Sequence, residues 1–162
     1  MLTEKAVCFR PLFLWRNAKM LKPVFLTPRF YSDYANCPEI EQKPLRPYIR
    51  VQINVNGVLW ALPLRSNISH EYAVFTDRKN RCGIDLTKAV VISSPSLYID
   101  SSSRPYLRPN EHAALKSISE YHLTHRFLRY ISDYKDALLH PKSRHNQSIL
   151  RFSTLQYFEQ YL

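Results

Sequence analysis

Apolar and polar positions alternate with a period of two over YIRVQINV, residues 48–55. Ile49, Val51, Ile53 and Val55 fall on one side, and Arg50, Gln52 and Asn54 on the other, which predicts a half-buried strand. Asn56-Gly57 follows, a pair suited to a two-residue hairpin turn in which both residues take positive φ. The returning segment VLWALPL, residues 58–64, is apolar on both faces and so belongs near the centre of a sheet. Hairpin pairing then brings Arg65 and Ser66, just beyond it, close to Arg46 and Pro47.

Around this hairpin, PVFLTPRFY (23–31) has strand composition. A short helix near 31–36 and a loop are expected over the polar, proline-punctuated 32–47. EYAVF (71–75) and GIDLTKAVVI (83–92) are two more strands, joined by the charged turn TDRKNR (76–81). The serine- and proline-rich 93–109 reads as surface. From Asn110, a residue type that caps helices, Leu115, Ile118, Tyr121, Leu128, Ile131 and Leu138 recur at helical steps. One helix to about Leu139, or two with a break, ends before His140-Pro141. A basic loop, KSRHNQ (142–147), leads into a final amphipathic helix through 150–162. The fold class is α+β, a mostly antiparallel sheet of four to six strands with a helical C-terminal half.

In residues 1–19, Arg10, Pro11 and Arg16 interrupt the apolar positions. That leaves no secretory core of adequate length and nothing that spans a membrane. Met20 opens MLKPVFLTPRFY in the manner of a first strand. Residues 1–19 therefore read as an upstream extension, disordered or not native, and 20–162 as one domain. A chain beginning at Met20 that failed to fold or act would contradict this.

Charge narrows the function. Twenty-three Lys and Arg oppose thirteen Asp and Glu, for a formal net charge of +10, and there are eleven tyrosines. Lysines and arginines neutralise phosphates, and aromatic faces stack on unpaired bases, so RNA is the favoured partner. A basic protein with its tyrosines packed in the core is the plainer alternative. Cys8, Cys37 and Cys82 are odd in number and widely spaced, without a C-x-x-C pair. They read as reduced thiols in the cytoplasm rather than a zinc site or disulfide framework. With two glycines in the chain, there is no G-x-S-x-G elbow, P-loop or dinucleotide fingerprint. His122 and His125 are three apart, but no carboxylate stands in phase to complete a metal site. Glu120, Asp133 and Asp136 do not form a two-metal cluster. No metal or other cofactor is expected.

Arg46, Arg65, Ser66 and His70 remain, brought together by the hairpin. Arginines donate to a phosphate, a serine hydroxyl adds a hydrogen bond, and a histidine moves protons near neutral pH. Such a set can cleave RNA without a metal. It can equally be a polar turn beside a strand-edge histidine, or the contact face of a non-catalytic RNA-binding protein.

The arrangement of RPY (46–48), VNG (55–57), ALPLRS (61–66) and GIDLTKAVVI (83–92) resembles the toxins of type III toxin–antitoxin systems, the ToxN/AbiQ superfamily, and within it the TenpN branch. The resemblance covers residues 20–92 well and the helical half loosely. It implies a strongly twisted antiparallel sheet or partial barrel flanked by helices. It also implies a metal-independent endoribonuclease, bacterial or phage-borne, that leaves a 2′,3′-cyclic phosphate and a 5′-hydroxyl. The partners implied are cellular RNA substrates and a repeated, pseudoknotted RNA antitoxin, processed by the toxin and assembled with it into a protein–RNA hetero-oligomer. No membrane or DNA partner is expected. In the ToxN pattern a strand ends in APLTS; its serine falls on Ser66 and its threonine on Arg65. A lysine ahead of the hairpin falls on Arg46, while a tyrosine and a second lysine fall on Gln42 and Ile68, which do not match. The expected roles are Arg46 and Arg65 as phosphate donors, Ser66 as a hydrogen-bond donor to the scissile phosphate, and His70 as general base or acid. Lys43, Arg50, Lys88, Lys142, Arg144 and Arg151 are expected to bind RNA.

Overall fold

The computed structural model describes residues 20–42 and 48–162. The expectations placed on residues 1–19, Lys43 and Arg46 lie outside the described residues. Within them, β1 (Lys22–Leu26) is followed by α1 (Pro28–Asp33), then β2 (Arg50–Val55), β3 (Val58–Arg65), β4 (Ala73–Asp77), β5 (Cys82–Asp85) and β6 (Val90–Val91). A single turn α2 (Pro95–Tyr98) precedes β7 (Ile99–Asp100), and α3 (Pro109–Ser117), α4 (Glu120–Leu139) and α5 (Arg144–Phe152) close the chain. The class is α+β: an antiparallel sheet ordered β4-β5-β3-β2-β1-β7, with β6 also on β3 and most helix in the C-terminal half.

The hairpin forms as the pattern predicts. Val55 pairs with Val58, and Asn56 and Gly57 hold φ of 52° and 83°, the left-handed values this turn requires. Strand β3 is central, touching β2 on one edge and β5 and β6 on the other. Pro63 is tolerated there because its missing N–H faces the gap between β6, which pairs at Trp60 and Ala61, and β5, which pairs at Leu64 and Arg65.

Several elements depart from the sequence pattern for local reasons. Helix α1 begins three residues earlier than expected, since Thr27 caps it and Pro28 takes the first helical position. The apolar run 83–92 is not one strand. Asp85 accepts from the backbone N–H of Thr87, and a 3₁₀ turn over Leu86–Lys88 divides β5 from β6. Part of the serine-rich segment read as surface, β7, pairs with β1 at the edge of the sheet. Asn110 lies inside α3, whose N-cap is Arg108, and Ser119 caps α4. The expected basic loop 142–147 is mostly helix, capped by Ser143, and the expected last helix gives way to 3₁₀ turns after Phe152.

The buried face of α4 is Leu123, Phe127, Tyr130, Ile131, Tyr134 and Ala137. Tyr121, Leu128 and Leu138, expected on the apolar face, are exposed. The tyrosines win the inner face because their hydroxyls find partners there, Tyr130 donating to Ser153 and Tyr134 to Glu159. Trp60 packs edge-on against Phe127 and Phe158 at 5.1 and 6.1 Å, which clamps the helices to the central strand. Such aromatic pairs add about 0.5–1.5 kcal/mol each beyond the area they bury. Among the described residues, no helix is long and apolar enough to cross a membrane.

Candidate active site

Where β3 ends, Arg65 pairs across the sheet with Gly83, two residues before Asp85. The 3₁₀ turn that follows Asp85 holds its carboxylate inside the protein, with no exposed side-chain surface. Oδ2 accepts from Arg65 Nη1 at 2.6 Å. Oδ1 accepts from the Thr87 backbone N–H at 2.9 Å and from the Thr87 hydroxyl at 2.7 Å. Burial pushes the carboxyl up, but the donors His70, Thr87 and Arg65 outweigh it and leave its pKa below the usual range. Asp85 is thus an ionised, buried anchor. Sequence reading missed it because it sits within an apparently continuous apolar strand; the Asp-x-Thr spacing, suited to a side-chain turn, was the available signal.

His70 reaches the same carboxylate. Its Nε2 is 3.5 Å from Asp85 Oδ1 and 3.4 Å from the Thr87 hydroxyl, while Nδ1 is buried without a hydrogen-bond partner. The loop carrying it is fixed by Arg81, a residue of the charged turn. Arg81 donates through Nε to Ile68 O, through Nη2 to His70 O and through Nη1 to Glu71, each at 2.7 Å. Ile68 is buried and seats this loop in the core.

These groups border a cleft of about 450 Å³. His70, Thr87 and Lys88 line one side; Tyr72 and Tyr130 lie between; and His145, Ser148, Ile149 and Phe152 enter from α5. Spacing of three and four residues puts that last set on one helix face. His145 was not singled out in the sequence because its segment read as loop; helical phase is what aims it inward. Its Nε2 lies 3.0 Å from the Tyr72 hydroxyl.

The expected site residues separate. Arg65 and His70 come together, but the two terminal nitrogens of Arg65 are occupied by Asp85 and Glu41. Burial alone would lower the Arg65 pKa, yet these carboxylates hold it above its ordinary value. Its geometry is that of a strut that positions Asp85. Ser66 is exposed beyond the strand end and does not line the cleft, although Arg65 and Asn67 on either side of it do. Arg50, expected to bind RNA, lies inside the protein instead. It is 2% exposed and donates to the Lys88 and Ala61 carbonyls, so it braces the sheet and is not available to RNA. Burial lowers its pKa.

Lys88 does reach the cleft. Its ammonium donates to Phe152 O at 2.7 Å, and among the described residues no carboxylate pairs with it. Burial pulls its pKa down, with Arg65 adding to the effect and Asp85 opposing it. A half-buried cation with spare donors is suited to an incoming phosphate. Lys142, Arg144 and Arg151 are all exposed, before and along α5, outside the cleft. Cys37 and Cys82 are free thiols.

No family model matches this chain, and no curated protein or solved structure matches it.

Proposed function

We propose that the protein is a metal-independent endoribonuclease, the toxin of a type III toxin–antitoxin system acting in the cytoplasm. The observation that carries this reading is His70 seated against the buried Asp85 carboxylate on a cleft that also presents the Lys88 ammonium. A carboxylate behind an imidazole fixes the ring and stabilises the imidazolium formed when it takes a proton. A desolvated ammonium beside it stabilises charge on a phosphorane.

In this reading RNA binding opens His70 Nδ1, buried and unpartnered in the free protein, to take the 2′-hydroxyl proton, and Lys88 holds the scissile phosphate. Arg65 and Thr87 position Asp85, and Arg81 positions the His70 loop. The exposed Lys142, Arg144 and Arg151 bind RNA outside the cleft, including a structured antitoxin RNA around the enzyme. The net charge of +10 supports a polyanionic ligand.

The test is incubation of the purified chain with RNA, with and without EDTA, followed by mapping of the new ends. Cleavage that survives EDTA, leaves 5′-hydroxyls and is lost in His70→Ala supports the reading. RNA bound but left intact would instead make the protein a non-catalytic RNA-binding module.

A further inference from the structure

The cleft holds a second histidine. His145 enters it from α5, whereas His70 enters from the loop after β3, and Tyr72 neighbours both, with ring centroids 6.4 Å from His70 and 6.2 Å from His145. The two imidazoles have different supports. His70 faces a buried carboxylate, suited to receiving a proton. His145 faces a phenol hydroxyl, 3.0 Å from its Nε2. The Tyr72 pKa is raised, first by burial and then by the nearby Asp133. When the His145 ring is protonated both of its nitrogens donate, and the phenol oxygen is then the acceptor for Nε2–H. An imidazole whose Nε2–H is held in this way keeps its second proton, on Nδ1, available to give.

Resting on the nuclease reading above, we propose that His145 is the acid that protonates the leaving 5′-oxygen, and that Tyr72 positions it. His70 takes the proton of the 2′-hydroxyl, and the 2′-oxygen forms a bond to phosphorus. The bond from phosphorus to the 5′-oxygen breaks with its electron pair on oxygen, and His145 delivers a proton there. The products are a 2′,3′-cyclic phosphate and a 5′-hydroxyl. His70 leaves the step protonated and His145 neutral, and proton exchange with water restores both. Besides Tyr72 and the nearby Asp133, the charged or titratable groups sharing this cleft are His70, Lys88, Arg65 and Tyr130.

The experiment uses the full chain and two versions of one RNA oligonucleotide that the wild type cuts. One is natural, and the other has sulfur in place of the bridging 5′-oxygen at the cut linkage. A thiolate leaves without being protonated, so the second substrate does not need an acid. His145→Ala is expected to cut natural RNA about 10²-fold or more slowly, to cut the sulfur-linked RNA within a few fold of wild type, and to lose the alkaline limb of the pH–rate profile. His145→Gln, which retains a nitrogen donor toward Tyr72 but no titrating proton, is expected to behave alike. His70→Ala stays slow on both substrates. Tyr72→Phe is expected to slow cleavage of natural RNA more than of the sulfur-linked RNA, because the acid is less well held. Wild-type cleavage with His145 variants unslowed, or slowed equally on both substrates, overturns the assignment and leaves the nuclease reading standing. A wild type that cuts neither RNA overturns both.

Discussion

His70 Nε2 lies 3.5 Å from Asp85 Oδ1, joining the loop after the central strand to the residue that interrupts the next. Arg65 reaches the other oxygen of the same carboxylate at 2.6 Å. One buried side chain therefore ties the end of β3, the His70 loop and the 3₁₀ turn bearing Lys88. Sheet pairing creates this meeting point, since Arg65 stands opposite Gly83, and the close approach of β4 requires that glycine. A Cβ there would come within 2.5 Å of the Val74 carbonyl oxygen and 2.7 Å of the Phe75 Cα.

Removing Asp85 leaves the Arg65 guanidinium partly buried without its nearest counter-charge. Asp85→Ala is expected to lower stability by about 3–5 kcal/mol, the usual consequence of breaking a buried ion pair from one side. Equilibrium urea unfolding checks this. Asp85→Asn, which retains an acceptor for Thr87, should be less damaging to stability while still lowering RNA cleavage.

The same carboxyl sets an acid limit. Its folded pKa lies below the ordinary value of 3.8, so the unfolded chain binds the proton more readily. The stabilisation is fully present above that ordinary value and is lost as pH falls through the lower folded one. Thermal melts between about pH 6 and 2 should show a decline beginning at about pH 4, and Asp85→Asn should flatten it.

Two arginines and a serine distinguish positioning from contact. Arg81→Ala frees the backbone of Ile68 and His70, and it should lower the turnover rate with little change in RNA affinity. Ser66→Ala should leave cleavage within a few fold of wild type, because Ser66 is not among the residues that line the cleft. Arg50→Ala should act on stability alone, through the two carbonyls the guanidinium supports. Single-turnover rates and binding isotherms on the same variants separate these outcomes.

Outside the cleft, the exposed cations of α5 and its leading turn should act on affinity. Replacing Lys142, Arg144 and Arg151 together by alanine should reduce the slope of log affinity against log salt for single-stranded RNA by about 2. The rate of bound RNA cleavage should change little. Filter binding over a salt series reads the first quantity, and single-turnover kinetics reads the second.

The hairpin and the centrality of β3 were legible in the sequence because both depend on nearest-neighbour chemistry: a period of two, an Asn-Gly turn and an apolar return strand. His70 was legible by its position after that strand. Asp85 was not, since a single carboxylate within an apolar run gives no period of its own, and its partners come from distant segments. Nor was His145, because its segment's composition reads as loop while Ser143, as N-cap, makes it helix. The phase of α4 misled for a related reason. Hydropathy alone favours Leu128 and Leu138 over tyrosines, but Tyr130 and Tyr134 bring hydroxyls that Ser153 and Glu159 satisfy inside. Arg50 shows the reverse case, a charged residue of an alternating strand that the fold buries because carbonyls meet it.

The central claim is that the His70 cleft cuts RNA without a metal. The most direct measurement is the fraction of a defined RNA cleaved over time by the wild-type chain and by His70→Ala, each in excess EDTA, with the new 5′ ends identified. The account predicts recurrent cuts bearing 5′-hydroxyls in the wild type, and a rate about 10²- to 10⁴-fold lower in the variant. Intact RNA from a folded wild-type protein, or equal cleavage by the two, would contradict it.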